Sequence, residues 1–337
     1  MNLNLSQIRD ITLGAVRIEE IDNAIHFARF TKQQEELYKN RSAILYARTF
    51  STSGVKMRFR TNSQTLFLSV EVTPGSSRSY FTLEIFANGE KIDDIKNYSE
   101  SELSGDYTAF GFPLGAFSKK VYLGTGEKEV CIYFPWSVNA AIKEIAIDDG
   151  SFISPVKPSK KMLVLGDSIT HGYDALYPTN KYITRLANML DAEEYNKAVG
   201  GEIYFPELAK ERENFEPDYI TVAYGSNDWN VSTKEELIHN CYGIFHNLRN
   251  NYPAAKIFAI TPIWRKDINE STPLGDFASV GEIIQNQAAK FENVTVIPGV
   301  DLVPHNENLY ADLRIHPNDQ GFDYYFENLS KQIKDAL

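Results

Sequence analysis

Hydrophobic and polar positions follow two different rhythms along this chain. Between residues 1 and 150, short runs alternate apolar with polar side chains, as in Lys56-Met-Arg-Phe-Arg60, Thr65–Val72, Tyr80–Phe86 and Glu129–Phe134. A two-residue period turns one face of each run toward a core and the other toward water, the pattern of half-buried strands. Turn-forming residues separate the runs at Pro74-Gly75, Asn88-Gly89 and Gly124-Thr-Gly126. Asn-Gly between alternating runs predicts a tight hairpin, because both residues tolerate the left-handed backbone that such a turn needs. Residues 1–150 therefore read as an antiparallel β-sandwich of jelly-roll type.

Past Pro155 and Pro158 the rhythm changes. Apolar bursts at Met162–Leu165, Tyr219–Ala223, Lys256–Ile260 and Val294–Ile297 alternate with helical stretches near residues 181–190, 234–250, 280–291 and 321–337. Short strands apolar on both faces, with helices between them, predict a parallel sheet covered on both sides, an α/β domain. The expected division is a β-sandwich over 1–150, a Pro- and Ser-rich linker over 151–160 and the α/β domain over 161–337.

Composition acts mainly by exclusion. The 337 residues carry a net charge of −11, most of it in the second half, and an acidic surface does not suit a nucleic acid or an anionic membrane. Cys131 and Cys241 are too few for a disulfide framework and have no metal-ligand spacing, so they read as buried thiols. No basic leader precedes an apolar run at the amino terminus, and no run of eighteen apolar residues occurs. The expectation is a cytoplasmic protein without a membrane span.

Ligands of open parallel sheets sit beyond the carboxyl ends of the strands, and four segments of the second half fall there. Gly166-Asp167-Ser168-Ile169-Thr170-His171 follows the first strand. A serine on that turn presents its hydroxyl and its own N–H to one site, although serine also caps helices there. Asn196-Lys-Ala-Val-Gly200-Gly201 lets a backbone N–H approach a ligand, or forms a simple turn. Tyr224-Gly-Ser-Asn227-Asp228-Trp229 offers a neutral amide donor in Asn227, or a turn-stabilising side chain. Asp312-Leu-Arg-Ile-His316-Pro317 brings a histidine, the side chain best suited to exchange a proton near neutrality, to the start of the last helix. His171 reads as shaping the mouth of the site. Together the four loops supply a nucleophile, hydrogen-bond donors for an oxyanion and a base, the parts needed for acyl transfer.

With these blocks the chain resembles the SGNH (GDSL) hydrolase superfamily over residues 160–337, and its first half resembles the β-sandwich of two-domain members such as carbohydrate esterase family 2. The resemblance implies a flavodoxin-like three-layer domain in which Ser168 is the nucleophile and His316 the general base. It also implies an oxyanion hole of the Ser168 N–H, the Gly201 N–H and the Asn227 amide, with Gly201 preferred over Gly200 because it keeps the family's five-residue step from Asn196. The family's aspartate lies three residues before the histidine, where this chain has Leu313. Either Asp312 orients His316 from a loop one residue longer, or a backbone carbonyl does so. A carboxylate stabilises an imidazolium better than a neutral dipole, which favours Asp312.

Trp229, Trp264 and Arg265 are expected near the mouth, with Asp167 beside the nucleophile. Trp136 is expected either to stack on a sugar or to pack at the domain junction. Arg265 is expected to hold an anionic group or to pair with Asp267. These residues suit a short-chain ester, above all an O-acetyl group on a carbohydrate, with no metal or organic cofactor. An acyltransferase using the same site is the alternative, and a non-catalytic glycan-binding protein is the bland reading. The absence of G-x-S-x-G and H-E-x-x-H argues against an α/β-hydrolase elbow and a zinc hydrolase.

Overall fold

The computed structural model describes residues 1–103, 107–270 and 272–337. Two antiparallel sheets form the first half. One runs through strands Arg17–Ile21, Ala24–Ala28, Val138–Ile147, Thr65–Pro74 and Gly115–Tyr122. The other contains Lys56–Thr61, Lys128–Tyr133, Thr82–Ala87 and Glu90–Lys96. Alternate side chains of both sheets, among them Met57, Phe59, Leu66, Leu68, Ile85, Ile132 and Ile142, meet in one core. Asn88 and Gly89 both take positive φ, +51° and +83°, and join Thr82–Ala87 to Glu90–Lys96, as the Asn-Gly signal predicts. Ser154 and Pro155 pair with Arg60 and Phe59, so the expected linker adds a short antiparallel rung to the second sheet.

The first half is not all β. Helices Leu5–Ile11, Lys32–Arg41 and Ala43–Arg48 interrupt it. The longest begins with a capping box in which the Thr31 hydroxyl accepts from Gln34 N–H and the Gln34 side chain accepts from Thr31 N–H. Two backbone donors are thereby satisfied at the point where the strand pattern breaks. The helices Lys32–Arg41 and Ala43–Arg48 lie against the second half, which gives them a part in the site described below.

The second half is a parallel sheet in the order Ala192–Asn196, Lys160–Gly166, Tyr219–Ala223, Lys256–Ile260, Val294–Ile297. Four of these strands match the apolar bursts, the edge strand Ala192–Asn196 being the exception, and helices cover the sheet, among them Tyr182–Met189, Lys234–Asn251, Phe277–Ala288 and Asp319–Ala336. The chain enters at the second position in the sheet, moves to the edge and then returns past its start. Lys160–Gly166 and Tyr219–Ala223 therefore flank a topological switch point, where the crossovers diverge and leave a crevice. Among the described residues no helix is long and apolar enough to cross a membrane. Cys131 and Cys241 are both buried and unbridged, as expected.

Candidate active site

The crevice at the switch point collects the loops that follow the first three strands of the parallel sheet. Gly166 closes the first strand, and a Cβ there would stand 2.5 Å from Thr170 Oγ1 and 2.9 Å from the Ala223 carbonyl, so only glycine lets the chain turn this tightly. Asp167 caps the short helix Ser168–His171 by accepting from Ile169 N–H at 3.0 Å. Ser168 is thus the first residue of the helix, where a backbone N–H has no intrahelical acceptor.

Three side chains then form a relay. The Ser168 hydroxyl lies 2.9 Å from His316 Nε2, and His316 Nδ1 lies 2.7 Å from Asp312 Oδ2. Because an ionised carboxylate can only accept, Nδ1 carries the proton and Nε2 is left as the acceptor facing the serine. The other Asp312 oxygen accepts from the backbone N–H groups of Arg314, Ile315 and His316 at 2.9, 2.8 and 3.1 Å. Burial works against the charge on Asp312. The hydrogen bond and charge of His316 and those backbone donors outweigh it and hold the carboxyl well below the usual carboxylate range. The four-residue separation is absorbed at Leu313, whose φ of +54° folds the additional residue into a left-handed kink. Asp312, rather than a backbone carbonyl, stands against the imidazole.

The donors expected for an oxyanion lie on the neighbouring loops. Gly201 has φ +83°, is exposed, and has no acceptor for its N–H among the described residues. The Gly200 N–H, in contrast, is taken by His171 Nδ1 at 3.2 Å, which leaves Gly201 as the free donor of the pair. Asn227 donates one amide hydrogen to the Glu202 carbonyl at 2.8 Å, a bond that ties the second and third loops together. Its amide has a second hydrogen to offer.

Several expected site residues lie elsewhere. Trp229 is fully buried and donates from Nε1 to the Gly275 carbonyl, so it packs in the core under the third loop and presents no face to a ligand. Arg265, only 2% exposed, is held by both oxygens of Asp267 and by the Ser226 carbonyl, which satisfies its planar fork internally. Trp136 is buried at the domain junction, with Nε1 donating to the Ala175 carbonyl and the ring against Tyr80 and Tyr173. Asp167 is buried as a helix cap, and burial pushes its carboxyl up to about 7 despite Ile169 N–H and the charges of His316 and Arg265. His171 is also inside rather than at the mouth. Its Nε2–H faces Ser51 Oγ and the Trp136 carbonyl, and burial, with Arg29 and Lys181 nearby, holds it well below its ordinary pKa. Of the three tryptophans, Trp264 alone keeps some exposure, stacked on His305.

The structure also brings to the site side chains that sequence reasoning missed, Asp174 from the second half and Arg78, Tyr80 and Arg48 from the first. Asp174, fully buried, lies with Oδ2 3.4 Å from His316 Nδ1, a second carboxylate behind the imidazole. Arg78 grips both of its oxygens at 2.7 and 3.0 Å, and Tyr80 Oη donates to Oδ1 at 2.6 Å. Arg48 donates to the Gly200 carbonyl at 2.5 Å. Asp174, Asp312 and His316 bring potential metal-ligand atoms within 4.8 Å of one another. Any cation there would compete with a guanidinium already seated on Asp174. Cavities of about 500 and 520 Å³ lie at the domain junction and beside Phe277, and neither is lined by Ser168 or His316.

Residues 164–324 match the model of the GDSL-like Lipase/Acylhydrolase family. No curated protein matches the sequence. Among solved structures, the chain is similar to a salicylyl-acyltransferase from a tetracycline biosynthetic pathway, at TM-score 0.77 and 18% identity over 96% of this chain and 94% of that one. It is also similar to a family two carbohydrate esterase from Clostridium thermocellum in complex with cellohexaose, at TM-score 0.64 and 14% identity over 84% and 93%. An acetyl xylan esterase from the rumen bacterium Butyrivibrio proteoclasticus matches at TM-score 0.62 and 16% identity over 100% and 98%. At these identities the likeness speaks for the fold, and it extends over both halves of the chain. Residues 164–324 therefore match the GDSL-like lipase/acylhydrolase family model, and the whole chain, with its antiparallel β-rich first half, shares the fold of these solved structures.

Proposed function

We propose that this protein is a serine esterase that hydrolyses short-chain carboxylic esters, in particular O-acetyl groups on a carbohydrate. The observation that carries the reading is the continuous chain Ser168–His316–Asp312, at 2.9 and 2.7 Å. His316 Nε2 takes the proton of the Ser168 hydroxyl as its oxygen attacks the acyl carbon. The developing oxyanion accepts from the N–H groups of Ser168 and Gly201 and from the Asn227 amide. His316 then returns the proton to the leaving alcohol. A water, deprotonated by the same nitrogen, releases the acid and restores Ser168.

Two observations support a polar, solvent-facing substrate. Gly201 is exposed and His316 and Asn227 are half-buried, so the scissile group is reached from the surface. The family two carbohydrate esterase and the acetyl xylan esterase, which share the two-domain fold, lend the substrate class. An acyl-enzyme can also pass its acyl group to an alcohol, and the likeness to a salicylyl-acyltransferase keeps that outcome in view. Product analysis with and without candidate acceptors separates the two.

Ser168→Ala is expected to lower kcat for p-nitrophenyl acetate by about four orders of magnitude or more, the scale on which a triad nucleophile acts. A wild-type rate in that variant would refute the assignment. Among natural substrates, acetylated xylo- and manno-oligosaccharides should be cleaved in preference to octanoyl esters. Activity confined to long acyl chains would overturn the carbohydrate reading while leaving the serine mechanism standing.

A further inference from the structure

The peptide unit between Gly200 and Gly201 contains both the carbonyl of the first residue and the N–H of the second. In a trans peptide these groups point in opposite directions, so fixing the carbonyl aims the N–H. Two side chains hold this stretch, His171 through the preceding peptide and Arg48 through this one. His171 Nδ1 accepts the Gly200 N–H, and His171 is itself anchored through Nε2 to Ser51 Oγ and the Trp136 carbonyl. Arg48, on the helix Ala43–Arg48, donates from Nη1 to the Gly200 carbonyl at 2.5 Å. The guanidinium lies so close that a Cβ on Gly201 would meet Nη1 at 2.7 Å. Two consecutive glycines would otherwise leave this donor among the loosest in the chain.

The geometry points to Arg48 as a positioning residue for the oxyanion hole, supplied by the amino-terminal half. It holds the Gly200 carbonyl so that the Gly201 N–H stays aimed at the reacting carbonyl oxygen. Among the described residues Arg48 has no carboxylate partner, so its charge is not cancelled locally and further polarises the peptide it holds. The backbone of Arg48 is tied in turn by Arg29, whose Nη2 donates to the Arg48 carbonyl at 3.0 Å while its Nη1 donates to the Asn196 and Ala198 carbonyls. One buried arginine thereby links the helix bearing Arg48 to the loop that leads into Gly200. This role rests on the esterase reading of Ser168, because it matters only where an oxyanion forms.

A positioning role acts on the transition state and not on ground-state binding. Arg48→Ala should therefore lower kcat for p-nitrophenyl acetate by about tenfold to a hundredfold, somewhat less than outright loss of an oxyanion donor, with KM within about twofold. Inactivation by diethyl p-nitrophenyl phosphate, whose phosphoryl oxygen occupies the same hole, should slow by a similar factor. Ethylguanidinium in solution should restore part of the lost kcat in Arg48→Ala, which a misfolded protein would not show. If Arg48→Ala does not fold, Arg48→Lys carries the test: a single ammonium lacks the guanidinium's reach and fork, so kcat should still drop with KM unchanged.

An unaltered kcat in the folded variant, or a raised KM with kcat intact, would overturn the inference, the second outcome marking Arg48 as a substrate grip. Ser168→Ala run in parallel separates the two levels of argument. An inactive Ser168→Ala beside an unimpaired Arg48→Ala removes only the role of Arg48. An active Ser168→Ala removes the reading of the site itself.

Discussion

At the scale of single residues, the imidazole of His316 is the group on which the proposed chemistry turns, and two carboxylates face the same nitrogen. Asp312 lies within hydrogen-bond distance at 2.7 Å, and Asp174 at 3.4 Å acts only as a neighbouring charge. The division of labour follows from their other partners. Both oxygens of Asp174 are already gripped by Arg78, whereas Asp312 Oδ2 is directed at the ring. Asp312→Asn should then lower kcat on p-nitrophenyl acetate by roughly a hundredfold to ten-thousandfold, because the amide turns the ring to the wrong tautomer. A loss under about tenfold would take Asp312 out of the relay. Since Asp312 is held well below the usual carboxylate range, it stays ionised as pH falls through mildly acidic values. Loss of kcat/KM on the acid side should accordingly follow a single proton in the wild-type enzyme.

At the scale of elements, much of the second half was legible in the sequence. Strands Tyr219–Ala223, Lys256–Ile260 and Val294–Ile297 fall where the apolar bursts place them, and the two central ones do so because both faces of a parallel sheet are covered there. The helices of the first half were not legible. Lys32–Arg41 is largely polar, with only Gln34 and Tyr38 buried, so it carries no apolar stripe, and its local signs are a capping box, an acidic first turn and a basic last turn. Trp229 and Arg265 mislead for a related reason. Sequence puts them on loops at the mouth of the sheet but cannot say which way a side chain on such a loop turns, and both turn inward.

The Asp312–His316 loop shows what one additional residue demands of its element. Leu313 sits at φ +54°, a conformation that costs an ordinary side chain about 1–2 kcal/mol, and its side chain is 48% exposed, so little packing offsets the strain. Leu313→Asn should leave kcat unchanged and raise stability by about 0.5–1 kcal/mol, since Asn tolerates this region. Leu313→Val should do the reverse, because a β-branched residue resists the left-handed region and would pull Asp312 away from the ring. Thermal unfolding together with kcat for the pair tests this, and equal behaviour of the two variants would show that the kink does not set the carboxylate.

For the molecule as a whole, the two halves read as separate domains in sequence but share polar contacts throughout the site. Partners far apart in the chain cannot be found from local motifs: Arg48 lies 152 residues from Gly200, and Arg78 lies 96 residues from Asp174. The Arg78–Asp174 pair is the sharpest test of whether the first half is structurally part of the site. Asp174 is fully buried, so removing its guanidinium leaves a charge that, among the described residues, keeps the Tyr80 hydroxyl as its side-chain hydrogen bond and His316 as a neighbour at 3.4 Å. Arg78→Ala should cost on the order of 3–5 kcal/mol, mostly as the penalty of an unpaired buried carboxylate. Asp174→Asn alone should cost less, because Arg78 keeps some access to water. If the pair couples the halves, Arg78→Ala combined with Asp174→Asn should be more stable than Arg78→Ala alone. The four unfolding free energies would then give an interaction of roughly 1–3 kcal/mol. Additivity within about 0.5 kcal/mol would show two independent effects instead. A coupled cycle accompanied by reduced kcat in Arg78→Ala would mean that the β-rich half holds the carboxylate at the back of the His316 imidazole.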